Sequence, residues 1–338
     1  MSNPRAVIIS DVHYNIHTLA LADAATNMAL AEAARLEVPL IISGDLHDTK
    51  AAMRGECVSA MIKTFSSHRL TTPVYIIPGN HDLLNERSPA HALQFLKPYC
   101  SVLDQPVQVR CGMYFIPYQS NPEELKSILK GIPPGSTVIC HQGTQGSNMG
   151  TYIQDKTAVP IEWFSRFRTI SGHYHKHQTV RGNENWWGME GMFTYVGNPY
   201  TLSFGEANDG PKGFCILNED GTTQQVPTNL RAHRIITLDY TGDRVLQTGA
   251  MLRPDDLLWV KVIGPRSKVD NFDKDANGDI LFGHSNYKLE KIYTDQPQLE
   301  VKTETMTGEQ IYDSLIESSG ETLDQVATLK ALWRKELG

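Results

Sequence analysis

Residues 6–13 read AVIISDVH and residues 39–48 read PLIISGDLHD, so a short apolar run is twice followed by acidic and histidine side chains. Residues 73–82, PVYIIPGNHD, follow the same pattern. Short β-branched runs without alternation are typical of strands that are buried on both faces of a sheet. Each run therefore predicts a buried strand whose carboxyl end carries side chains able to bind a metal ion.

The pattern continues along the first two hundred residues. Further apolar runs lie at 113–117, 136–140 and 168–171. Helix-forming stretches alternate with the runs and cover 17–36, 51–66, 89–97 and 122–130. Strands that alternate with helices indicate an α/β domain built in layers.

The pattern changes after residue 191. The runs MFTYVG (192–197), GFCIL (213–217), TTQQVPT (222–228) and HRIITLDY (233–240) look like strands without helices between them. They predict a second, more antiparallel sheet that completes the core. We expect one large domain over 1–240, a small α+β cap subdomain over 241–303 and a helical tail over 304–338.

The composition indicates the charge of the surface and the compartment in which the protein works. The formal net charge of −7 over 338 residues argues against a broadly basic surface, although a nuclease can concentrate positive potential at its metal ions. Five cysteines without a CxxC pair favour a reducing compartment. No apolar segment reaches the length of a membrane span, so a cytoplasmic location is expected.

Seven side chains of the metal-ligand type follow the predicted strands: Asp11, His13, Asp45, Asn80, His141, His173 and His175. In open α/β sheets the carboxyl ends of the strands form the ligand crevice, so these side chains can converge. Imidazole, carboxylate and amide ligands suit manganese, iron or zinc. Seven ligands exceed one tetrahedral zinc ion but suit two octahedral ions that share a carboxylate.

The order of these motifs, DxH, GDxxD, GNHD, H and GHxH, is similar to that of the calcineurin-like metallophosphoesterase family. The resemblance implies a two-sheet α/β/β/α sandwich. Residues 196–206, VGNPYTLSFGE, and the following Lys212-Gly213-Phe214 resemble the SbcD-type nucleases, which include phage recombination nuclease subunits. The motifs cover residues 1–240, and the rest of the chain resembles these nucleases only in length and layout.

The resemblance divides the ligands between two divalent ions. One ion takes Asp11, His13 and His175, the other takes Asn80, His141 and His173, and Asp45 bridges them. Manganese is the expected metal, with magnesium, iron and zinc as alternatives.

Four further side chains in these motifs receive roles. His81 is expected to protonate the leaving oxygen or to stabilise the charge that develops there, and the Asp48 carboxylate to hold His81 in orientation. Asp82 is expected to support its turn, and His47 to be a packing or rim residue.

The implied function is that of a metal-dependent DNA exo- and endonuclease that acts in DNA recombination, DNA repair or phage DNA processing. An SMC-like ATPase subunit is the expected partner, bound through the tail, unless the tail folds back onto the cap. A homodimer formed through 51–66 and 89–97 is expected as well. Arg54 and Arg87 are the candidates for contacts with DNA phosphates.

Two alternative functions stay open at this point. The same chemistry could act on nucleotides or phosphoproteins, or the chain could be a non-catalytic scaffold for the ATPase, although a scaffold does not need seven convergent ligands.

Two further motifs have competing interpretations. Residues 273–280 match the start of a calcium-binding EF-hand loop, but His284 stands where the loop needs glutamate, so a hairpin turn is preferred. Trp186 and Trp187 could stack on a base, but packing of their loop is preferred.

Overall fold

The computed structural model describes residues 2–49, 53–68, 71–85, 89–109, 112–149, 158–181, 192–242, 246–248, 252–272 and 287–295. The chain divides into two compact units, Met1–Ile292 and Tyr293–Gly338. All the elements below lie in the first unit, apart from the last residue of the final strand. Among the described residues, no helix has the length and apolar character needed to cross a membrane.

Most elements of the first 240 residues occur where the sequence predicts them. The exceptions are the predicted helix 89–97, which is only a short 3-10 helix, and the strands at 101–102, 107–108 and 178–181, which were not predicted. The order of the elements is β1 (Pro4–Ile9), α1 (Leu19–Leu36), β2 (Leu40–Ile42), α2 (Gly55–Ser67), β3 (Val74–Ile76), β4 (Ser101–Val102), β5 (Val107–Gln108), β6 (Met113–Ile116), α3 (Pro122–Lys130), β7 (Thr137–His141), β8 (Arg168–Gly172), β9 (Gln178–Arg181), β10 (Met192–Tyr195), β11 (Gly213–Asn218), β12 (Thr223–Pro227), β13 (His233–Asp239), β14 (Leu246–Thr248), β15 (Leu257–Gly264), α4 (Arg266–Val269) and β16 (Tyr287–Tyr293). Short 3-10 helices cover Ala92–Leu96, Ile161–Phe164 and Phe204–Glu206.

Two six-stranded mixed sheets form the body of the molecule. The first has the order β12-β11-β1-β2-β3-β4, and the second has the order β5-β6-β7-β8-β10-β9. The strands β1 to β4 are parallel, as are β6, β7, β8 and β10, while β11, β12, β5 and β9 pair antiparallel with their neighbours. Each sheet therefore has a central parallel part, and the carboxyl ends of its parallel strands lie along one edge.

Alternation along β1 shows how the layers are built. Val7 and Ile9 pack in one cluster with α1 and α2, whereas Ala6 and Ile8 pack in another with Phe115 and other residues of the second sheet. A third cluster joins the outer face of the second sheet to α3 and to the 3-10 helix at 161–164. Because successive side chains of a strand point to opposite faces, both sheets are covered on both sides. The predicted α/β/β/α sandwich is thereby confirmed.

The strands between 192 and 240 are assigned differently from the prediction. They do not form one antiparallel sheet: β10 joins the second sheet parallel to β8, whereas β11 and β12 join the first sheet. The strand β13 belongs to neither and pairs with β14 and β15. An apolar run identifies a strand but not its partner, because any strand edge offers the same main-chain groups.

A third sheet of four strands has the order β14-β13-β15-β16. Three of its strands belong to the predicted cap region, and β13 comes from the end of the predicted large domain. Along β15, half-buried and buried residues alternate, so Leu258, Val260 and Val262 face an interior that α4 helps to cover. The predicted helical tail over 304–338 lies outside the described residues, as does the calcium-loop-like segment 273–284.

Gly213 tests the contact between β11 and β12. A Cβ atom at this position would lie 2.1 Å from the main-chain oxygen of Val226, so we expect Gly213→Ala to lower the free energy of unfolding by about 1–3 kcal/mol. Gly55→Ala is the control, because no atom in the described part of the chain lies within 4 Å of a Cβ at Gly55, and alanine favours the helix. Urea denaturation measures both, and equal stability of the two variants would contradict the expectation.

Candidate metal centre

All seven predicted ligands lie at the carboxyl ends of parallel strands from both sheets. Asp11 and His13 follow β1, Asp45 follows β2 and Asn80 follows β3, while His141 ends β7, and His173 and His175 follow β8. The two sheets face each other, so ligands from the first meet ligands from the second. Short distances between their side-chain atoms link all seven residues into one cluster.

Asp11, His13 and His175 form the first group, and their ligand atoms all lie within 4.8 Å of one another. Nε2 of His13 lies 3.2 Å from Nε2 of His175. Two imidazole nitrogens held at right angles around one cation, each at about 2.1 Å, would be separated by about 3.0 Å. The spacing of these two nitrogens therefore fits a shared metal ion.

The second group is centred on Asn80. Its Oδ1 lies 3.0 Å from Nε2 of His141 and 2.9 Å from Nδ1 of His173. Oδ2 of Asp45 lies 3.2 Å from Nε2 of His141 and 4.0 Å from Nε2 of His13, so this carboxylate stands between the two groups. The second group thus combines amide and imidazole donors, and the Asp45 carboxylate lies between it and the first group.

The backbone of the cluster is unusual. Asp11, His13, Asp45 and His173 have positive φ angles of 50°, 51°, 48° and 93°. Residues other than glycine rarely adopt this conformation, because it costs about 1–3 kcal/mol per residue. Residues that do adopt it cluster at functional sites. The turns after β1, β2 and β8 thus adopt backbone conformations of higher energy that direct these side chains toward the cluster.

Hydrogen bonds on the far side of two imidazoles determine which nitrogen faces the cluster. Nδ1 of His141 lies 2.8 Å from the main-chain oxygen of Ser43, and Nδ1 of His175 lies 2.7 Å from Oε1 of Glu206. A carbonyl or an ionised carboxylate only accepts, so each Nδ1 carries a proton and each Nε2 is the nitrogen left to bind a metal ion or a second proton. Both imidazoles are therefore oriented for a metal.

Charged neighbours shift the pKa values of side chains in and around the cluster. Burial lowers the pKa of His141, but the nearby Asp45 outweighs this effect and raises it to about 9. Burial raises the pKa of Glu206, but its contacts with His175 and the charge of Lys212 bring it down to about 2. The Asp45 carboxylate thus favours a positive charge beside it, whether a proton or a metal ion supplies it.

His81 and Asp48 lie beside the first group. The His81 main-chain N–H donates to Oδ1 of Asp45 over 2.8 Å, and its Nδ1 lies 2.6 Å from the main-chain oxygen of Asp48. Oδ1 of Asp48 lies 3.2 Å from Nδ1 of His13. The orientation of His81, expected from the Asp48 side chain, therefore comes from its main chain, because the carboxylate turns toward His13.

Asp82 is fully buried and supports two turns at once. Its carboxylate accepts from the main-chain N–H groups of Gly79 over 2.9 Å and of His47 over 2.9 Å. Burial and, after it, the charge of Asp45 raise the pKa of Asp82 to about 7. The predicted supporting role of Asp82 agrees with these bonds, and the buried His47 packs in the same turn.

Gly79 and Gly172 show how closely the motifs approach. A Cβ at Gly79 would lie 2.2 Å from Oδ1 of Asp45, and one at Gly172 would lie 2.0 Å from Oγ of Ser10. Only a residue without a side chain fits at such a distance. These two glycines of the predicted motifs are therefore required by the contact between neighbouring strand ends.

Glu206 is a site residue for which the sequence predicts no role. It follows His175 by 31 positions, and no spacing rule relates the two. It does, however, belong to the segment VGNPYTLSFGE that carries the resemblance to nucleases. That segment was the available signal, but it does not show which residue contacts the centre.

Of the predicted DNA contacts, only Arg54 is described. It is exposed, forms an ion pair of 2.9 Å with Glu56, and lines a cavity of about 580 Å³ together with Asp48 and His47. Arg87 lies outside the described residues, as do Trp186 and Trp187.

Comparison with known proteins places these motifs in context. A family model described as calcineurin-like phosphoesterase matches residues 4–203. Exonuclease subunit 1 of Enterobacteria phage T4 is 27% identical to the chain over 213 residues, covering 59% of this chain and 58% of the phage protein. The chain thus spans less than two thirds of that relative's length.

A second viral protein and a solved structure are also similar. The putative phosphoesterase 244L of Invertebrate iridescent virus 6 is 22% identical over 245 residues, covering 65% of this chain and 78% of the viral protein. GAP50, the anchor in the inner membrane complex of Plasmodium, matches 68% of this chain and 86% of its own at 14% identity and a TM-score of 0.41.

Asp82→Ala tests the support of the two turns. The variant leaves the N–H groups of Gly79 and His47 without their acceptor in a buried place, so we expect the free energy of unfolding to fall by about 3 kcal/mol. Asp220→Ala is the control, since Asp220 accepts from Thr222 on the exposed surface and should cost about 1 kcal/mol or less. Urea denaturation of the metal-free proteins decides, and similar losses would contradict this role.

Proposed function

Because the chain belongs to the calcineurin-like phosphoesterase family, we propose that its metal centre hydrolyses the phosphodiester bonds of DNA. The observation that carries the proposal is the convergence of Asp11, Asp45, Asn80 and four histidines at facing strand ends. Hydrolysis of phosphoester bonds follows from family membership, and the choice of DNA is the finer step.

In this proposal Asp11, His13 and His175 hold one divalent ion, Asn80, His141 and His173 hold a second, and Asp45 contributes to both. Bound ions would supply Lewis acidity and an activated water. The imidazole and carboxylate donors suit manganese, with magnesium, iron and zinc as alternatives.

His81 is the proposed acid of the reaction. Its Nδ1 is held by the Asp48 carbonyl, so Nε2 is the nitrogen that can donate a proton to the leaving sugar oxygen. Its main-chain N–H donates a hydrogen bond to the Asp45 carboxylate, and this bond keeps His81 next to the proposed ions. Asp48 contributes twice, because its carbonyl orients His81 and its carboxylate faces His13.

DNA is the proposed substrate on two grounds. The segment VGNPYTLSFGE resembles the corresponding part of SbcD-type nucleases, and the phage T4 relative is named as a subunit of an exonuclease. Arg54, at the rim of the cavity that contains Asp48, is the proposed contact to a DNA phosphate, together with Arg87. The metal ions themselves would supply positive potential to a chain whose net charge is negative.

We further propose that the chain works as a homodimer with an SMC-like ATPase. The word subunit in the name of the phage relative supports a partner. Residues 241–303 would act as a cap over the DNA and residues 304–338 as the ATPase contact. Met61 of α2 is buried in the chain's own core, so the proposed dimer contact would be made by the exposed side chains of this helix.

Cleavage of end-labelled linear duplex DNA with Mn²⁺ tests the proposal. We expect the parent to degrade the DNA and to lose activity when EDTA removes the metal. His81→Ala should lower the rate about 100-fold or more, since it removes the proposed acid. His68→Ala is the matched control, because His68 lies at the end of α2, where its ring contacts Asn27, and its loss should leave the rate unchanged. Equal cleavage by the His81→Ala variant and the parent would contradict the mechanism.

The same preparation separates DNA from the alternative substrates. We expect the rate on DNA to exceed that on bis-p-nitrophenyl phosphate, on cyclic nucleotides and on a phosphoprotein. Hydrolysis of these compounds without cleavage of DNA would favour a nucleotide or protein phosphatase. Absence of metal binding and of all hydrolysis, with the ATPase present, would favour a scaffold.

A further inference from the structure

Behind His175 lies a buried cluster of charged side chains. The side chains of Glu206, Asp209 and Lys212 are 12%, 7% and 7% exposed. Charged groups are rarely buried to this extent unless each is paired and hydrogen-bonded. The contacts of the cluster therefore indicate what it does.

Glu206 is held from several directions. Oε1 contacts Nδ1 of His175 at 2.7 Å, and Oε2 accepts from Nδ2 of Asn198 over 2.9 Å and from the Leu202 main-chain N–H over 2.9 Å. The ammonium group of Lys212 lies 3.3 Å from Oε2. With both oxygens engaged, the carboxylate has little freedom to rotate away from the imidazole.

Lys212 holds the other side of the same residue. Its Nζ donates to the main-chain oxygen of His175 over 2.9 Å and to Oδ2 of Asp209 over 2.8 Å. An ammonium group has three donors, and its three partners here are His175, Asp209 and Glu206. The ring of His175 is thus held by Glu206 and its main chain by Lys212.

The backbone of the segment fits the same purpose. The Asn198 main-chain N–H also donates to the His175 oxygen, over 3.1 Å. Gly197 has a φ of +76°, and a Cβ there would lie 2.9 Å from that oxygen. Residues 197–206 therefore pass directly against the His175 loop, and the contact excludes a side chain at 197.

We propose that Glu206 is a positioning residue that fixes Nδ1–H of His175 and directs its Nε2 to the metal centre, with Lys212 as its counter-charge. A carboxylate that accepts from the outer nitrogen of a metal-binding imidazole sets its tautomer, orients its ring and raises its basicity. The inference rests on the metal centre of the proposed function but is independent of the choice of DNA as substrate.

Titration with Mn²⁺ by isothermal calorimetry tests this role. Loss of such a partner lowers metal affinity about 10–100-fold, so we expect that loss for Glu206→Ala and a smaller one for Glu206→Gln, which keeps an acceptor. Glu162→Gln is the control, because Glu162 is exposed on the 3-10 helix at 161–164, and should match the parent.

A second measurement separates positioning from general stabilisation. In the metal-free parent, nitrogen-15 NMR of the histidines should show the His175 proton on Nδ1. In Glu206→Gln part of it should move to Nε2, because an amide can accept from Nδ1–H or donate to an unprotonated Nδ1, whereas a carboxylate only accepts. A residue that only stabilises the fold would lower the melting temperature and leave tautomer and Mn²⁺ affinity unchanged. Glu206→Gln decides the matter if Glu206→Ala does not fold.

The outcomes are distinguishable. Parent-like Mn²⁺ affinity and tautomer in a folded Glu206 variant would overturn the positioning role. A parent that binds Mn²⁺ but leaves DNA intact would overturn the nuclease proposal alone, and the comparison of affinities would still decide the role of Glu206. A parent that binds no divalent metal would overturn both.

Discussion

The burial of two carboxylates, Asp11 and Asp45, is the constraint on which the rest of the structure depends. Both are almost fully buried, and an uncompensated buried charge is costly. Asp11 accepts a hydrogen bond from the main-chain N–H of His173, which follows β8 of the second sheet. Asp45 contacts His141 of the second sheet and accepts from the main-chain N–H of His81. Compensation of these charges therefore links the two sheets at their common edge.

The sandwich supplies the rigidity that this arrangement needs. The layer between the sheets is a cluster of buried apolar side chains, so the strand ends cannot move apart without exposing this cluster to water. Because the packed sheets fix the strand ends, four residues of the centre can keep a left-handed backbone. Gly79 and Gly172 lie where neighbouring turns come into contact. Local strain at the site is thus maintained by the packing of the layers beneath it.

The segment 197–206 changes how the resemblance to nucleases is understood. In the structure it lies against the loop of His175 and provides Glu206, so it contacts the candidate metal centre. The charge of Glu206 is in turn compensated by Lys212. The buried charges of the centre are consequently supported in two layers, first by the ligands and their hydrogen bonds and then by ion pairs behind them.

The sequence alone was sufficient for most strands, for a layered α/β domain and for seven candidate ligands that the structure brings together, because apolar runs and strand-end motifs are local and repeat in order. The two-sheet sandwich came from the resemblance of those motifs to a known family. The sequence could not assign β13 to a third sheet, since a run does not specify its partner. It could not show that the Asp48 carbonyl rather than its carboxylate contacts His81, or that Glu206 lies behind His175. Those relations depend on hydrogen-bond directions between segments far apart in the chain, and only the packing of the two sheets brings them within reach.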